Sequence, residues 1–313
     1  MRNAGGSIGA CRKQRQRWPE RVPAAIGAAL ATIALCLAAP AARAGVPTGG
    51  GRWWLTSVTD SATAPRARDV RVWLPPSYDR PESAQVRYPV VVFLHGWPGG
   101  EGNWPGQGRA GETLGALIAA GRIPEVIGLF PDGNGSGRLG RSLWLDSWDG
   151  RTRLETFLAR TLPAWADRTL RTRADAAHRA LVGLSDGGTG AINVLLRDPG
   201  VYGGAASHSG DQLLTRDRSS APLFGPEPYA GALRAEHSPL LTVSAHADRL
   251  RGMTLYLDCG ARDHDILENR ALHARLDSLG LAHTWVEQPG GHDWTYWRTH
   301  LAQSLEAVAR GMH

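Results

Sequence analysis

The sequence predicts an α/β fold in which helices cover both faces of a mostly parallel, doubly wound sheet. Continuous apolar runs that end in glycine and a polar residue are typical of strands buried on both faces. Four such runs occur: YPVVVFLHG, EVIGLFPDG, HRALVGLSDGG and GMTLYLDCGARD. Apolar residues at helical spacing predict crossover helices between them, over residues 111–121, 154–170, 188–197 and 269–279. Ahead of these, RWWLTSV and DVRVWLP alternate and predict antiparallel strands at the start of the sheet.

Residues 1–44 are predicted to be a cleavable signal peptide. Several basic residues precede an apolar stretch from Ala24 to Ala39, and Ala42 and Ala44 supply the small residues that a cleavage site requires. The apolar stretch is shorter than the roughly 20 residues of a spanning helix. We therefore expect export to the periplasm or the medium, with no stable membrane insertion after cleavage.

The remaining residues, 45–313, are predicted to form a single domain with no net charge. The leader holds seven of the 35 basic residues and one of the 29 acidic ones, so its removal leaves the two signs balanced. A balanced charge gives no reason to expect nucleic acid as a partner. Cys259 is the sole cysteine of this part, so the core must hold the fold without an intramolecular disulfide. Residues 211–252, polar and then weakly helical, are predicted to form a small lid.

A G-x-S-x-G pattern is centred on Ser185. It follows the predicted strand over 179–184 and precedes the predicted helix over 188–197, the context of a nucleophile elbow. A serine at such a turn has a strained backbone that only small neighbours tolerate, here Gly183 and Gly187. The alternative is a glycine-rich turn with a capping serine.

A nucleophilic serine needs a base and an orienting acid. His292 follows an apolar strand near the end of the chain, and the order serine, acid, histidine favours it over the competing histidines, which are His95, His264 and His273. Asp263 closes a buried strand and its turn, so its carboxylate is expected at the same rim of the sheet as Ser185. Its rivals as the acid are Asp258, Asp265 and Glu268.

The oxyanion of an acyl-transfer reaction is held by backbone N–H groups. One donor follows the nucleophile, at Asp186, and the other comes from the loop after an earlier strand. The segment HGWPGG supplies that loop and makes Trp97 the second candidate.

Five stretches together resemble the putative-esterase family of α/β hydrolases, which includes esterase D (S-formylglutathione hydrolase), feruloyl esterases and the antigen 85 mycolyltransferases. They are VVVFLHGWPGGEGNW, LFPDGNGSG, RALVGLSDGGTGAINVLLRDPGVYGGAASHSG, LDCGARD and PGGHDWTYW. The resemblance runs from about Arg68 to the end of the chain. It implies an α/β-hydrolase fold with Ser185 as nucleophile, Asp263 as acid, His292 as base, and Trp97 and Asp186 as oxyanion donors.

Asp186 departs from the family pattern, because relatives often carry methionine or another neutral residue after the serine. A carboxylate pointing at the oxyanion would oppose the reaction, whereas one in the first turn of a helix interacts favourably with the dipole. We therefore expect the Asp186 side chain to point away from the pocket.

The segment from Pro131 to Gly150 is the candidate for substrate contacts. Its beginning is spaced like a calcium loop, but Leu143 stands where the bidentate glutamate is required, so neither a metal nor another cofactor is expected. The predicted substrate-contacting residues are His95, Asn134, Trp144 and Asp146.

The predicted function is a secreted serine esterase that acts on a small-molecule or carbohydrate ester. Two alternatives stay open at this point. One is an acyltransferase of the antigen 85 type, in which a sugar hydroxyl replaces water. The other is a catalytically silent binding module that kept the fold.

Overall fold

The computed structural model describes residues 50–60, 64–135, 140–216 and 219–312. The predicted signal peptide therefore lies outside the described residues. Within them, eight strands form one sheet of order β1-β2-β4-β3-β5-β6-β7-β8. The strands are β1 (Arg52–Asp60), β2 (Ala64–Leu74), β3 (Val90–Leu94), β4 (Ile127–Pro131), β5 (Arg179–Leu184), β6 (Gly204–His208), β7 (Thr254–Gly260) and β8 (Thr284–Gln288).

The sheet changes from antiparallel to parallel after its second strand. β2 pairs antiparallel with both β1 and β4, and every pairing from β4 through β3, β5, β6 and β7 to β8 is parallel. The carboxyl ends of β5, β7 and β8 consequently lie along one edge of the sheet, and the loops that follow them meet there.

Helices cover the sheet. Their bounds are α1 (Asn103–Gly106), α2 (Ala110–Ala119), α3 (Leu154–Thr156), α4 (Leu162–Thr169), α5 (Asp186–Arg197), α6 (Ala221–Phe224), α7 (Tyr229–Glu236), α8 (Pro239–Thr242), α9 (Ala247–Leu250), α10 (Ile266–Ser278) and α11 (Trp294–Ala309). A π-helical turn, Phe157–Thr161, joins α3 to α4. Short 3-10 turns lie at Pro81–Ser83, Ala176–His178, Leu214–Arg216 and Val243–His246.

The side chains of β3 show that the sheet is buried on both faces. Val90, Val92 and Leu94 belong to one apolar cluster, which contains residues of α4 and α5. Val91 and Phe93 belong to a second cluster, with residues of α2 and α11. Because successive side chains of a strand point to opposite faces, the two clusters lie on opposite sides of the sheet. The predicted fold class, a mostly parallel sheet with antiparallel N-terminal strands and helices on both faces, is confirmed.

The described residues of the 211–252 segment include the short helices α6 to α9. Leu223 and Phe224 of α6 join Leu143 and Leu145 in a small apolar cluster, and the side chain of Asn193 in α5 donates a hydrogen bond to the carbonyl of His237 at 2.9 Å. The segment is thus packed onto its neighbours, and its role as a lid stays a prediction. No helix among the described residues is long and apolar enough to cross a bilayer.

Candidate active site

Ser185 occupies the single-residue turn between β5 and α5. Its backbone is at φ 51° and ψ −123°, a region that non-glycine residues rarely adopt and that clusters at functional sites. Its N–H donates to the carbonyl of His208 at 2.8 Å. A Cβ at Gly183 would collide with the backbone of Gly187, and one at Gly187 with the carbonyl of Leu94. Both glycines are therefore required for the turn to form.

His292 lies in the loop between β8 and α11, directly before the residue that caps α11. The Asp293 carboxylate accepts hydrogen bonds from the N–H groups of Thr295 at 2.8 Å and Tyr296 at 3.0 Å, which fixes the start of the helix. The His292 Nε2 atom is 2.9 Å from Ser185 Oγ. The ring of Trp297 stands edge-on to the imidazole, with ring centroids 4.9 Å apart, and holds its orientation.

Asp263 follows β7 and completes a continuous chain of hydrogen bonds. Both of its carboxylate oxygens lie 3.0 Å from His292 Nδ1, and Oδ1 also accepts the N–H of Asp265 at 2.9 Å. Burial alone would raise the pKa of Asp263, but the hydrogen bonds from His292 and the Asp265 N–H lower the pKa below its ordinary value. The group is thus held as a carboxylate, which keeps the proton of His292 on Nδ1 and leaves Nε2 as the acceptor toward Ser185.

The rival carboxylates have other surroundings. Asp265 Oδ2 is 3.8 Å from His292 Nδ1, beyond hydrogen-bond range. Burial and the nearby Asp211 carboxylate raise the pKa of Asp265 to about 7. The same two causes raise the pKa of Glu268 to about 7, and Glu268 accepts the N–H of Leu213 at 3.0 Å. Asp258 is hydrogen-bonded to a different histidine, His208.

A cavity of about 350 Å³ opens beside Ser185 and His292. This volume lies within the usual range of small-molecule sites. Besides Ser185 and His292, its lining combines apolar and aromatic residues with polar ones: Gly96, Trp97, Pro98, Asn103, Leu184, Asp293, Trp294 and Trp297. The loop after β3 approaches the serine closely, since a Cβ on Gly96 would lie 3.0 Å from Ser185 Cβ. Both predicted oxyanion donors thus belong to segments adjoining Ser185, with Trp97 in the cavity wall and Asp186 at the first position of α5.

The Asp186 carboxylate lies away from this cavity and is paired with Arg141. Arg141 Nε is 2.8 Å from Asp186 Oδ2, and Arg141 Nη2 is 2.6 Å from Oδ1. Both side chains are largely buried, and the guanidinium also lies 5.9 Å from the centre of the Trp97 ring. The side-chain direction matches the expectation for Asp186. The sequence did not indicate Arg141, because it lies in a loop 45 positions before Asp186 and follows no strand or motif that would place it beside that residue.

The four predicted substrate contacts have structural partners. His95 is buried, accepts the N–H of Gly133 at Nε2 (2.8 Å) and lies 2.7 Å from the Gly96 carbonyl at Nδ1; burial lowers its pKa. Asn134 donates to the Gly99 carbonyl at 2.8 Å. Trp144 is only 1% exposed and donates from Nε1 to the His95 carbonyl at 2.9 Å.

Asp146 accepts the N–H of Thr156 at 3.0 Å and also bonds the Thr156 hydroxyl. None of the four is in the lining of the cavity at Ser185. Contact of any of them with substrate stays a prediction. Ser136 and Gly137 of the rejected calcium loop lie outside the described residues.

Comparison with known proteins decides the family. The family described as "Putative esterase" matches residues 61–308, more than half of the chain. The chain belongs to the putative-esterase family. An uncharacterized protein of Corynebacterium glutamicum is 31% identical over an alignment of 268 residues that covers 82% of this chain and 60% of that protein. The chain thus spans about 60% of the length of this curated relative.

Solved structures share the fold of this esterase-family chain. A ferulic acid esterase aligns with a TM-score of 0.73 at 24% identity, covering 83% of this chain and 98% of the other. An S-formylglutathione hydrolase from Agrobacterium tumefaciens aligns with a TM-score of 0.72 at 18% identity, covering 87% and 99%. The predicted α/β-hydrolase fold and the predicted family are both confirmed.

Proposed function

We propose that this protein is a serine esterase that hydrolyses carboxylic esters through an acyl-enzyme intermediate. The observation that carries the proposal is the unbroken chain from Ser185 Oγ through His292 to the Asp263 carboxylate, with 2.9 and 3.0 Å separations, at the wall of a cavity of about 350 Å³. Family membership supports the same chemistry. The predicted leader supports export, which N-terminal sequencing of the exported protein, with Gly45 as its expected first residue, would test.

In the proposed acylation step, Ser185 Oγ attacks the ester carbonyl while its proton passes to His292 Nε2. The buried carboxylate of Asp263 then faces an imidazolium, and the attraction between the two charges stabilises the developing positive charge. His292 returns the proton to the leaving alcohol, and the acyl group remains on Ser185.

The negative charge of the tetrahedral intermediate needs fixed donors. The N–H groups of Trp97 and Asp186 are the proposed donors, because one belongs to the loop that closes on Ser185 and the other to the first turn of α5. A helix N-terminus stabilises negative charge, and one such donor is worth roughly a hundredfold or more in turnover. Water activated by His292 then releases the acid and restores Ser185.

The cavity wall supports a substrate with a flat or compact apolar group. Trp97, Trp294 and Trp297 contribute three indole rings, and Pro98 and Leu184 add further apolar surface. We propose an ester of an aromatic or short-chain acid, with a small alcohol or a sugar as the leaving group. In a cavity of this kind the apolar walls bury the ligand, and the few polar groups fix its orientation.

The proposal is tested by hydrolysis of p-nitrophenyl esters from acetate to decanoate and of methyl esters of aromatic acids. The full chain is compared with Ser185→Ala, and free acid is quantified with and without a sugar acceptor. Hydrolysis that disappears in Ser185→Ala supports the proposal, and the chain-length profile reports the size of the cavity. Transfer of the acyl group to the sugar at the expense of free acid would replace it with an acyltransferase. No turnover and no labelling of a folded protein by a fluorophosphonate would contradict it.

A further inference from the structure

A second group of chemistry-bearing side chains lies on the connection between the two triad loops. His273 and Asp277 are one turn apart on α10, and His283 lies in the link from α10 to β8. His273 Nδ1 is 2.8 Å from His283 Nε2, and His273 Nε2 is 3.5 Å from Asp277 Oδ2. One ligand atom from each of the three side chains lies within 4.8 Å of the others. Two imidazoles and a carboxylate thus lie close enough together to be candidates for ligands of one metal ion.

The hydrogen bonds of this group leave two acceptors, His273 Nε2 and the Asp277 carboxylate, next to each other. His283 Nδ1 is 2.8 Å from the Leu281 carbonyl, which can only accept, so the proton of a neutral His283 is on Nδ1 and its Nε2 carries a lone pair. The proton between the two rings must then come from His273 Nδ1. Nε2 of a neutral His273 then carries a lone pair 3.5 Å from the Asp277 carboxylate, an arrangement that is relieved either by a second proton on His273 or by a metal cation.

We propose that His273, Asp277 and His283 form a binding site for a divalent transition-metal ion, with Zn²⁺ as the fitting class. Neutral imidazoles with one carboxylate suit Zn²⁺ and its neighbours better than Mg²⁺ or Ca²⁺, which prefer all-oxygen ligands. When the ion binds, the proton of neutral His273 stays on whichever of its ring nitrogens is not a ligand, so both imidazoles bind in their neutral form. Nε2 of His283, one ring nitrogen of His273 and an oxygen of Asp277 then bind the ion, and water completes the coordination.

The surroundings hold the ligands in place while leaving room for the ion. The Leu281 carbonyl orients His283, a contact of the kind that commonly orients metal-binding histidines. The ring of Trp285 stacks on His273, with centroids 5.3 Å apart and planes 11° apart. Zn–N bonds of about 2.0–2.1 Å in a tetrahedral site separate two nitrogens by roughly 3.3 Å. If the two facing nitrogens are the ligands, their 2.8 Å gap opens by roughly 0.5 Å, which the partly exposed His273 permits.

The site goes beyond the proposed esterase function and is structural in kind. The segment from α10 to β8 joins Asp263 to His292, so an ion that ties α10 to the start of β8 stiffens the chain between two triad residues. Bound metal stabilises a fold by mass action. The expected consequence is a higher melting temperature, with little change in the turnover of a well-folded enzyme.

The test is a titration of the full chain, stripped with a chelator, with ZnCl₂, followed by calorimetry and by thermal unfolding. One ion per chain is expected, with Tm raised by about 5 °C at roughly a hundredfold excess over Kd. Asp277→Asn and His273→Gln, both at exposed or partly exposed positions, should each weaken binding by about tenfold or more, the scale seen for partners that merely orient a ligand. Binding should also weaken in acid, because protons compete for the imidazoles.

Two controls separate this site from others. His178, which pairs with Asp175 at 2.7 Å on the surface without a third ligand among the described residues, gives His178→Ala as the matched variant, and its affinity should be unchanged. A second group of possible ligands includes two members of the proposed triad, Asp263 and His292, and their neighbours His264 and Asp265. His264→Ala should keep the Tm increase. No saturable binding by the stripped chain would overturn the proposal, as would unchanged affinity in Asp277→Asn and His273→Gln, or loss of the ion in His264→Ala alone.

Discussion

Two Ser–His–Asp hydrogen-bond chains lie in the described part of the molecule, and their separations are almost equal. In the first, Ser185 Oγ is 2.9 Å from His292, whose other nitrogen is 3.0 Å from Asp263. In the second, Ser304 Oγ is 2.9 Å from His208 Nε2, and His208 Nδ1 is 2.9 Å from Asp258 Oδ1. The first borders a cavity, whereas all three members of the second are fully buried.

The two serines differ in backbone and in the use of their protons. Ser304 lies within α11 and donates its hydroxyl proton to the Leu301 carbonyl at 2.9 Å, so the proton is not directed to His208. Ser185 lies on a strained turn at the end of β5 and points toward His292 and the cavity. A hydrogen-bonding pattern therefore does not identify a nucleophile. Backbone conformation and access to a ligand distinguish the two chains.

The largest expected effect is on kcat, and it should distinguish Ser185 from Ser304. Ser185→Ala should lower kcat by about 10⁴-fold or more, the scale for removing a triad nucleophile. Ser304→Ala should leave kcat within a few-fold but lower the free energy of unfolding by about 1–3 kcal/mol, because it leaves buried His208 Nε2 without its partner. Steady-state kinetics and urea unfolding of both variants measure this. Equal losses of kcat in two stably folded variants would mean that the comparison is wrong.

The carboxylates should differ almost as widely. Asp263→Asn removes the acceptor that fixes the proton on His292 Nδ1, and a loss of about 10⁴-fold in kcat is expected from the wrong tautomer. Asp258→Asn should act on stability and not on turnover. Asp265→Asn is the control for the rival acid. Its kcat should fall by no more than roughly tenfold, a far smaller loss than the one expected from a wrong tautomer. A greater loss from Asp265→Asn than from Asp263→Asn would assign the acid to Asp265.

Most of the sheet could be predicted because its strands carry their own signal. The runs of β3, β4, β5 and β7 are rich in branched residues and end in glycine. β6, Gly204–His208, went unpredicted because its sequence GAASH is small and polar, and its burial comes from the strands on either side. The predicted helix over 154–170 is in fact interrupted by a π-helical turn at Phe157–Thr161, which apolar spacing does not reveal.

Helix α11 was missed although its signal is in the sequence. Asp293 is a capping residue, and it is followed by apolar residues at helical spacing, namely Trp294, Trp297, Leu301, Leu305 and Val308. The hydrogen-bonded chain of Ser185, His292 and Asp263 could be named in advance because each residue follows a strand of the same parallel sheet; its role as a catalytic triad stays a prediction. Arg141 and the buried His208–Asp258 pair could not, because tertiary packing alone brings such partners together.

The Arg141–Asp186 pair gives a further test at the first hydrogen-bond chain, that of Ser185, His292 and Asp263. Asp186→Asn keeps the N–H proposed to bind the oxyanion, so kcat should stay within roughly tenfold of wild type, below the hundredfold expected for a lost oxyanion donor. Stability should fall by up to about 3 kcal/mol, since the largely buried Arg141 loses its ion pair with Asp186 and keeps its contacts with Ser219 and the more distant Asp211 carboxylate. Kinetics and unfolding of Asp186→Asn, Arg141→Met and the double variant would separate the two contributions. A loss of kcat beyond a hundredfold would show that the carboxylate acts in catalysis.

The smallest expected effect is a pH dependence of the free energy of unfolding, which originates at Asp265, beside the hydrogen-bond chain of Ser185, His292 and Asp263. Burial and the Asp211 carboxylate raise the pKa of Asp265 from 3.8 to about 7. A group whose pKa is higher in the folded than in the unfolded state contributes stability below its unfolded pKa and loses it as pH rises to the folded value. Asp265 should therefore make the protein less stable as pH rises from about 4 to about 7.

Asp263, whose pKa is lowered, acts in the opposite direction and contributes stability that is lost only as the pH falls. Urea unfolding of wild type and Asp265→Asn across this range isolates the contribution of Asp265. The variant should show a flatter dependence and gain most at neutral pH. Asp248→Asn is the matched control, because the Asp248 side chain is 97% exposed and its replacement should leave the slope unchanged. An unaltered slope in Asp265→Asn would show that the pH dependence originates in another group.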